Sequence, residues 1–394
     1  MKIYTCTPVR FRGGDMFFSR ESGLFCKGLE KLGVQTRAIL PGAPIEDKDP
    51  LLMRVPYSDL ESPIFWRSLS LDGLILYSWA APRYYPIARA LKEANVPFLV
   101  NVDSSGLVSS LANSRLWSRH AVPYLLRSLF HRKEWRSGLS SLVDNYFRIH
   151  RIAHARARTF EEATAVGAVT PLGVLWLQQE LKQLGRNDLT TKIFHLPHPQ
   201  PDDFVYSGSA KRKIVISVAR WEREDWLQKN PRLLVDSLIS FLGQRAEWKA
   251  LVVGRGASAL LRRLKIRPCE ALRRVDFVDF IPMRDLVPYY DRAMIGFWSS
   301  RGEGQIGAGA QALCFGCSVV AGDLGTLTCF SDYITRESGR LGLSYTARGL
   351  SEALILEAAA WENNQRIPGR ISNIWAPEFA VSNVARKAIS MLRL

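Results

Sequence analysis

The residues best placed to do chemistry lie between Trp298 and Val320. A short apolar run, 293–298, enters the turn Ser299-Ser300-Arg301-Gly302-Glu303-Gly304-Gln305-Ile306-Gly307, and a stretch of small residues, 308–316, follows with helical character. The leading N–H groups of such a helix have no partner inside it, and its dipole favours negative charge. The turn is therefore an anion site built from the backbone of residues 304–309, with Gly304, Gln305, Ile306 and Gly307 at its mouth. Glycines there let a phosphate approach the main chain closely. Two basic residues stand at element ends earlier in the chain. Arg220 ends the apolar run 213–218, and Lys229 precedes Asn230-Pro231 at a helix start. An arginine grips two phosphate oxygens, whereas a lysine acts as a compact point charge.

A second reading of the same turn is a dinucleotide fingerprint. Gly302, Gly304 and Gly307 fit GxGxxG, and Asp323 lies 21 residues after Gly302, near the end of the next strand. Position speaks against it, because this is the last full strand–helix–strand unit rather than the first. Other chemical signals are weaker. Asp47-Lys48-Asp49 is a DxD, but it sits among Pro41, Pro44 and Pro50, as a solvated loop would. His150 and His154 share a helix face without the glutamate of a zinc hydrolase. Cys314 and Cys317 form a CxxC at the end of the small-residue helix, where two packed thiols are expected. No closed cysteine–histidine set and no Gly-x-Ser-x-Gly elbow occurs, so no metal site is expected.

These residues need elements to hold them. Strand-like runs at 2–5, 36–40, 73–78, 97–102, 213–218, 249–254, 275–280, 293–298 and 318–321 alternate with helix-like stretches at 19–32, 83–94, 171–184, 230–243, 257–265, 284–290, 308–316 and 350–362. That alternation means parallel sheets with crossover helices, an α/β fold. It runs twice, broken by Leu196-Pro-His-Pro-Gln-Pro201, which reads as an ordered hinge. We expect two Rossmann-like domains, 1–195 and 196–374. A last helix, 375–394, packs back on the first. Each sheet offers a crevice at the carboxyl ends of its strands, and two such crevices facing each other across a cleft suit the joining of two substrates.

The 394 residues are 47% hydrophobic and 23% charged, an ordinary globular composition. No apolar stretch approaches the roughly 18–20 residues of a membrane span, and no secretory signal is visible. Six irregularly spaced cysteines suit a reducing cytoplasm. The net charge is +16, and residues 115–158 carry +8 of it. Between 107 and 158 arginines alternate with leucine and tryptophan, so an anionic membrane surface is a candidate partner. Nucleic acid is an unlikely one, since no nucleic-acid module accompanies the charge.

The segment 299–320 resembles the donor-site signature of retaining GT-B glycosyltransferases, the large family that includes sucrose synthase and many bacterial mannosyl- and glucosyltransferases. The family's serine, Glu-Gly pair and closing Cys-Gly-x-Pro-Val-Val pattern have counterparts in Ser299 or Ser300, Glu303-Gly304 and Phe315-Gly316-Cys317-Ser318-Val319-Val320. The second glutamate of the signature is replaced by Gln311. The resemblance implies a GT-B fold and a metal-independent, retaining transfer from a nucleoside diphosphate sugar, which serves as substrate with no further cofactor. The acceptor would be a glycan or lipid-linked sugar, in cell-envelope or exopolysaccharide synthesis. It implies a cytoplasmic protein, peripheral on the inner face of the plasma membrane where its basic stretch meets anionic lipid.

By the same resemblance Arg220 and Lys229 hold the diphosphate, Glu303 the sugar hydroxyls or the developing positive charge, and Gln311 the ribose. Gly254 lies beside the nucleotide, and Asp279 near its base or sugar. Gly13-Gly14 lies in the loop against donor and acceptor, and Asp103 orients the acceptor or takes its proton. His198 corresponds to a position before the hinge and reads as packing. Because Gln311 lacks the charge of the family's glutamate, a catalytically weakened relative that binds a nucleotide or glycan is the alternative.

Overall fold

The computed structural model describes all residues except 12–16, 44–48, 103–110, 113, 116–117, 119–125, 127–147, 302, 323, 325–329 and 394, and the side chains of Glu224 and Leu227. Gly14, Asp103, Asp47, Lys48, Gly302, Asp323 and most of the basic stretch 107–147 lie outside the described residues.

The chain forms two compact units. The first runs to Pro201 and takes back the chain from Phe379; the second is Asp202–Glu378. Their borders fall six and four residues beyond the expected 195 and 374. The first unit holds β1 (Ile3–Cys6), β2 (Ala38–Pro41), β3 (Leu52–Val55), β4 (Gly73–Leu76), β5 (Phe98–Val102), β6 (Ala165–Ala168) and β7 (Ile193–His195). They lie in the order β3-β2-β1-β4-β5-β6-β7. The second holds β8 (Arg212–Val218), β9 (Lys249–Val253), β10 (Val275–Val278), β11 (Ala293–Trp298), β12 (Ser318–Gly322) and β13 (Gly339–Gly342). Their order is β10-β9-β8-β11-β12-β13. Every strand pair in both sheets is parallel. Parallel strands covered on both faces by helices must be apolar on both faces, as the buried runs Ile3–Cys6, Gly73–Leu76 and Ala165–Ala168 are.

Local chemistry starts the helices where the sequence suggests. Thr170 accepts from the Gly173 N–H at 2.9 Å, with Pro171 in the first helical position of Pro171–Gln183. Thr346 does the same for Gly349 at 3.1 Å, opening Ala347–Glu362. In each sheet the strand order reverses beside the first strand, between β1 and β4 and between β8 and β11. Ligands of open α/β sheets bind at the carboxyl ends of such pairs.

The expected single tail helix 375–394 is two. Pro368–Phe379 belongs to the second unit up to its last residue, and Val381–Met391 to the first. Between them Ala380 is extended (φ −52°, ψ 127°) and bridges Gln200 as a strand would. Gln200 N–H donates to Phe379 O at 2.7 Å, and Val381 N–H donates to Gln200 O at 2.8 Å. These two hydrogen bonds replace helical ones at the break. Beyond it, Val384, Ala385, Ala388 and Leu392 join Ile3, Phe25, Leu29, Ile75 and Leu99 in the core of the first unit. Gly28 of helix Glu21–Lys31 permits this approach. A Cβ there would stand 2.7 Å from Val381 Cγ2 and 2.8 Å from Val381 O.

Candidate functional site

The site gathers at the carboxyl ends of β8 and β11. Their ends are tied together by Trp298, whose indole N–H donates to Val218 O at 3.1 Å. Gly296 lets that indole fold back on its own strand, since a Cβ there would lie 2.6 Å from the ring. Beyond β8 the chain turns tightly against the end of β9. Gly254 has φ +132°, and a Cβ on it would stand 1.7 Å from Ala219 O, so the position is closed to any side chain. Trp221 is buried in this corner, with its indole N–H on Val253 O at 2.9 Å. Gly254 thus shapes the corner by backbone packing, on the strand that neighbours β8.

The long loop after Trp221 is ordered as a short 3-10 turn, Arg223–Asp225, and one helical turn, Trp226–Lys229. Asn230 then takes the left-handed conformation (φ +50°), which turns the chain into Pro231–Gln244. This places residues 228–230 against the segment after β11. Arg301 N–H donates to Gln228 O at 2.7 Å, and the Ser299 hydroxyl donates to Lys229 O at 2.9 Å. Tyr345 closes the arrangement from the loop after β13. Its hydroxyl donates to Ser299 O at 2.5 Å and accepts from Asn230 Nδ2 at 3.0 Å. Burial pushes the Tyr345 phenol up to about 12, against the lowering effect of the Asn230 bond and the Arg301 charge, so it stays a neutral donor.

Within this frame Lys229 Nζ forms an ion pair with Glu303 Oε1. Their side chains are only 14% and 7% exposed. Gln228 Nε2 donates to Glu303 Oε2 at 3.4 Å, so both carboxylate oxygens are engaged. Immediately after Glu303, residues Gly304–Ile306 are buried and lead into helix Gly307–Cys314, whose N-cap residue Ile306 has no polar side chain to cap it. Its leading N–H groups are those that an anion satisfies in such sites. A Cβ at Gly307 would meet nothing within 4 Å, so there is room above the helix start. Gln311 sits one turn further along, half-buried.

The structure therefore joins Lys229 and Glu303 directly, next to Gly304, Gln305, Ile306 and Gly307. Arg220 is placed differently. It follows β8 as expected, but its side chain is 68% exposed and pairs with Asp225 at 3.1 Å. Asp279 accepts from the Ser258 N–H at 3.1 Å and from the Ser258 hydroxyl at 2.6 Å. These bonds hold its carboxyl below the usual range. They occupy it in fixing the turn at 257–259. His198 is buried in the segment before the unit border. Cys314 and Cys317 are packed thiols whose ionisation burial opposes. His150 and His154 are exposed on helix Ile149–Glu162 beside Arg151 and Arg158. Among the described residues no group of three His, Cys, Asp or Glu side chains converges as metal ligands would. Gln228, Asp225 and Tyr345 carry no sequence motif. Only Asn230, a residue that tolerates the left-handed region, hints at the turn that aims Lys229.

Residues 212–355 match the family model described as glycosyl transferases group 1. The lipopolysaccharide core biosynthesis mannosyltransferase LpsB of Rhizobium meliloti (strain 1021) is 31% identical over 166 residues. These are 40% of this chain and 46% of that protein, so the match spans less than half the length of its curated relative. Among solved structures, the apo form of the lipopolysaccharide outer core galactosyltransferase WaaB superposes with a TM-score of 0.63 at 13% identity, covering 100% of this chain and 99% of its own. The pneumococcal O-GlcNAc transferase GtfA, solved with UDP and GlcNAc, gives a TM-score of 0.66 at 10% identity, over 100% and 98% of the two chains. The two-sheet GT-B architecture is thus shared along the whole chain with these solved glycosyltransferases, and the sequence likeness to glycosyl transferases group 1 runs through residues 212–355, the stretch that carries Lys229 and Glu303.

Proposed function

We propose that the protein transfers a sugar from a nucleoside diphosphate sugar to a glycan or lipid-linked acceptor in the assembly of a lipopolysaccharide-type polysaccharide, with retention at the anomeric carbon and without a metal ion. The observation that carries this is the Lys229–Glu303 pair at the open start of helix Gly307–Cys314, on the switch point between β8 and β11. A diphosphate at the helix start takes the Lys229 ammonium in exchange for Glu303. Glu303 is then free to accept hydrogen bonds from sugar hydroxyls and to face the positive charge that grows at the anomeric carbon. Lys229 and the leading N–H groups meet the negative charge that grows on the departing phosphate oxygen. Arg220, on an exposed side chain, joins them by exchanging Asp225 for phosphate. In the retaining step the bond from the anomeric carbon to the phosphate oxygen breaks while the acceptor oxygen bonds to that carbon on the same face. The acceptor proton passes to the departing diphosphate.

Turnover of UDP- and GDP-sugars with envelope glycan acceptors tests this. Anomeric retention is expected in the product by NMR, with rates unchanged by a chelator. Lys229→Ala should lower kcat/KM about 100-fold or more. Unaltered turnover in that variant, or an inverted product, overturns the reading.

The replacement of the family's second glutamate by Gln311 favours one other reading, a nucleotide- or glycan-binding relative with little turnover. We further infer contact with an anionic membrane surface through 107–158. Its described part presents Arg148, Arg151 and Arg158 to solvent. No helix among the described residues is long and apolar enough to cross a membrane.

A further inference from the structure

A second basic site lies at the outer edge of the other side of the same sheet, on β13, two strands beyond β11. A cavity of about 510 Å³ opens where the turn into β13 meets the connection between helices Ala347–Glu362 and Pro368–Phe379. Arg336, Arg340, Arg366 and Arg370 line it, with Glu337 among them. Their roles differ. Arg366 is fixed: Nε and Nη2 donate to the two oxygens of the fully buried Glu357 at 2.5 and 2.7 Å, and Nη1 donates to Arg336 O at 2.7 Å. Arg340 reaches the same carboxylate only at 3.7 Å, and its buried Nε has no hydrogen-bond partner among the described residues. Arg370 stands 3.8 Å from Glu337, both of them well exposed. Arg336 is exposed and makes no ion pair among the described residues.

Four guanidinium groups against Glu337 and Glu357 leave a net charge of +2 around one cavity. Like charges gathered this closely repel, and a buried donor without an acceptor costs free energy. Packing explains Arg366, which holds the floor. It explains neither Arg336 nor Arg370, whose side chains are directed to the solvent around the cavity. What would satisfy all three remaining forks is a group with several oxygens and at least two negative charges. Phosphate has the matching geometry. The first turn of Pro368–Phe379, beside which Ile367, Arg370 and Ile371 line the cavity, adds the N–H groups of Gly369 and Arg370, Pro368 having none and Ile371 donating to Ile367 O.

We propose that this cavity binds a ligand carrying two or more phosphate groups, held by Arg336, Arg340 and Arg370 above the Arg366–Glu357 pair. The site is separate from the Glu303 turn and does not rest on the reading of that turn. Two sources share the chemistry, a phosphorylated lipid headgroup and a soluble oligophosphate.

Calorimetric titration of the full chain with inorganic tripolyphosphate tests it. Two sites are expected. Arg336→Ser/Arg370→Ser should remove one and leave the other, and Lys229→Ala should do the reverse. Loss of only the Lys229-dependent site would leave the cavity assignment standing alone, so the two failures are distinguishable. Glu337→Gln removes a carboxylate from the rim and should tighten the cavity site severalfold. Unchanged stoichiometry in the double arginine variant, with its melting transition retained, overturns the proposal, as does weaker binding in Glu337→Gln. Sedimentation with phosphatidylcholine vesicles, with and without cardiolipin, whose headgroup carries two phosphates, then names the source. Binding that falls in the double variant points to lipid, and binding that does not points to a soluble ligand.

Discussion

At the scale of single residues, the site depends on side chains that approach from three separate stretches of chain. Tyr345 reaches Asn230 across 115 positions and Ser299 across 46. Tyr345→Phe removes the donor to Ser299 O and the acceptor for Asn230 Nδ2 while keeping the ring. It should cost about 1–2 kcal/mol in denaturant unfolding. It should also lower kcat more than it raises KM, because Lys229 and Glu303 lose their fixed spacing without losing their charges. Gln311 makes a complementary case. Gln311→Glu restores a charged acceptor where the family has one, and should tighten nucleotide binding about tenfold in a fluorescence titration. Gly304 and Gly307 were legible as a glycine-lined turn into a helix start, whereas Lys229 and Glu303 stood out only through the family resemblance, and their pairing with each other was not legible. Tyr345, Gln228 and Asp225 were not. Their value comes from where the sheet order brings them, and no spacing in the chain records that. Arg220 was legible as a cation at a strand end, but not as the partner of Asp225.

At the scale of elements, the strands that carried long β-branched or aromatic runs were readable within a residue or two. Thus 213–218 became Arg212–Val218, and 293–298 was recovered as Ala293–Trp298. Those missed, Leu52–Val55, Ala165–Ala168, Ile193–His195 and Gly339–Gly342, are three or four residues long. They are strands because neighbours in the sheet pair with them. The tail misled for a similar reason. Its apolar spacing is helical throughout, and the break at Ala380 exists because Gln200 offers a strand-like partner. The contact of Val381–Met391 with Glu21–Lys31 gives a sharp prediction. Gly28→Ala places a methyl group against the Val381 carbonyl, which cannot rotate away. About 1–3 kcal/mol of overpacking should outweigh the ~1 kcal/mol that alanine gains in helix propensity. A lower denaturation midpoint with an unchanged slope would show it.

For the whole molecule, the alternation of strands and helices, its two rounds and the excess of positive charge were all visible in the sequence. The exact borders were not, because the chain passes from one unit to the next inside an extended segment and returns in the middle of what reads as one helix. Acid behaviour belongs at this scale. Glu362 accepts from the Trp248 indole at 3.0 Å and pairs with Lys213 and Arg245, and its carboxyl titrates below the usual range. Asp279 and Asp188 are also depressed, by Ser258 and by Arg186 respectively. A depressed carboxyl contributes stability in full above its unfolded value of about 4, and loses it as pH falls through the lower native value. Melting temperature should therefore hold from neutral pH to about 5 and decline steeply below 4. Glu362→Gln should flatten part of that decline.

The return of Val381–Leu392 to the first unit has a temporal side. On the ribosome, the sheet opened by Ile3 is made first, yet four of its core partners emerge only after the entire second sheet has been synthesised. Until then Phe25 and Leu29 lack their cover. The earlier half must wait, partly unclosed and open to chaperones, for a segment translated more than 170 residues later than its own border at Pro201. Maturation of the two halves is thus bound into one sequence of events, and a chain stopped short of Val384 would leave the first unit without part of its core.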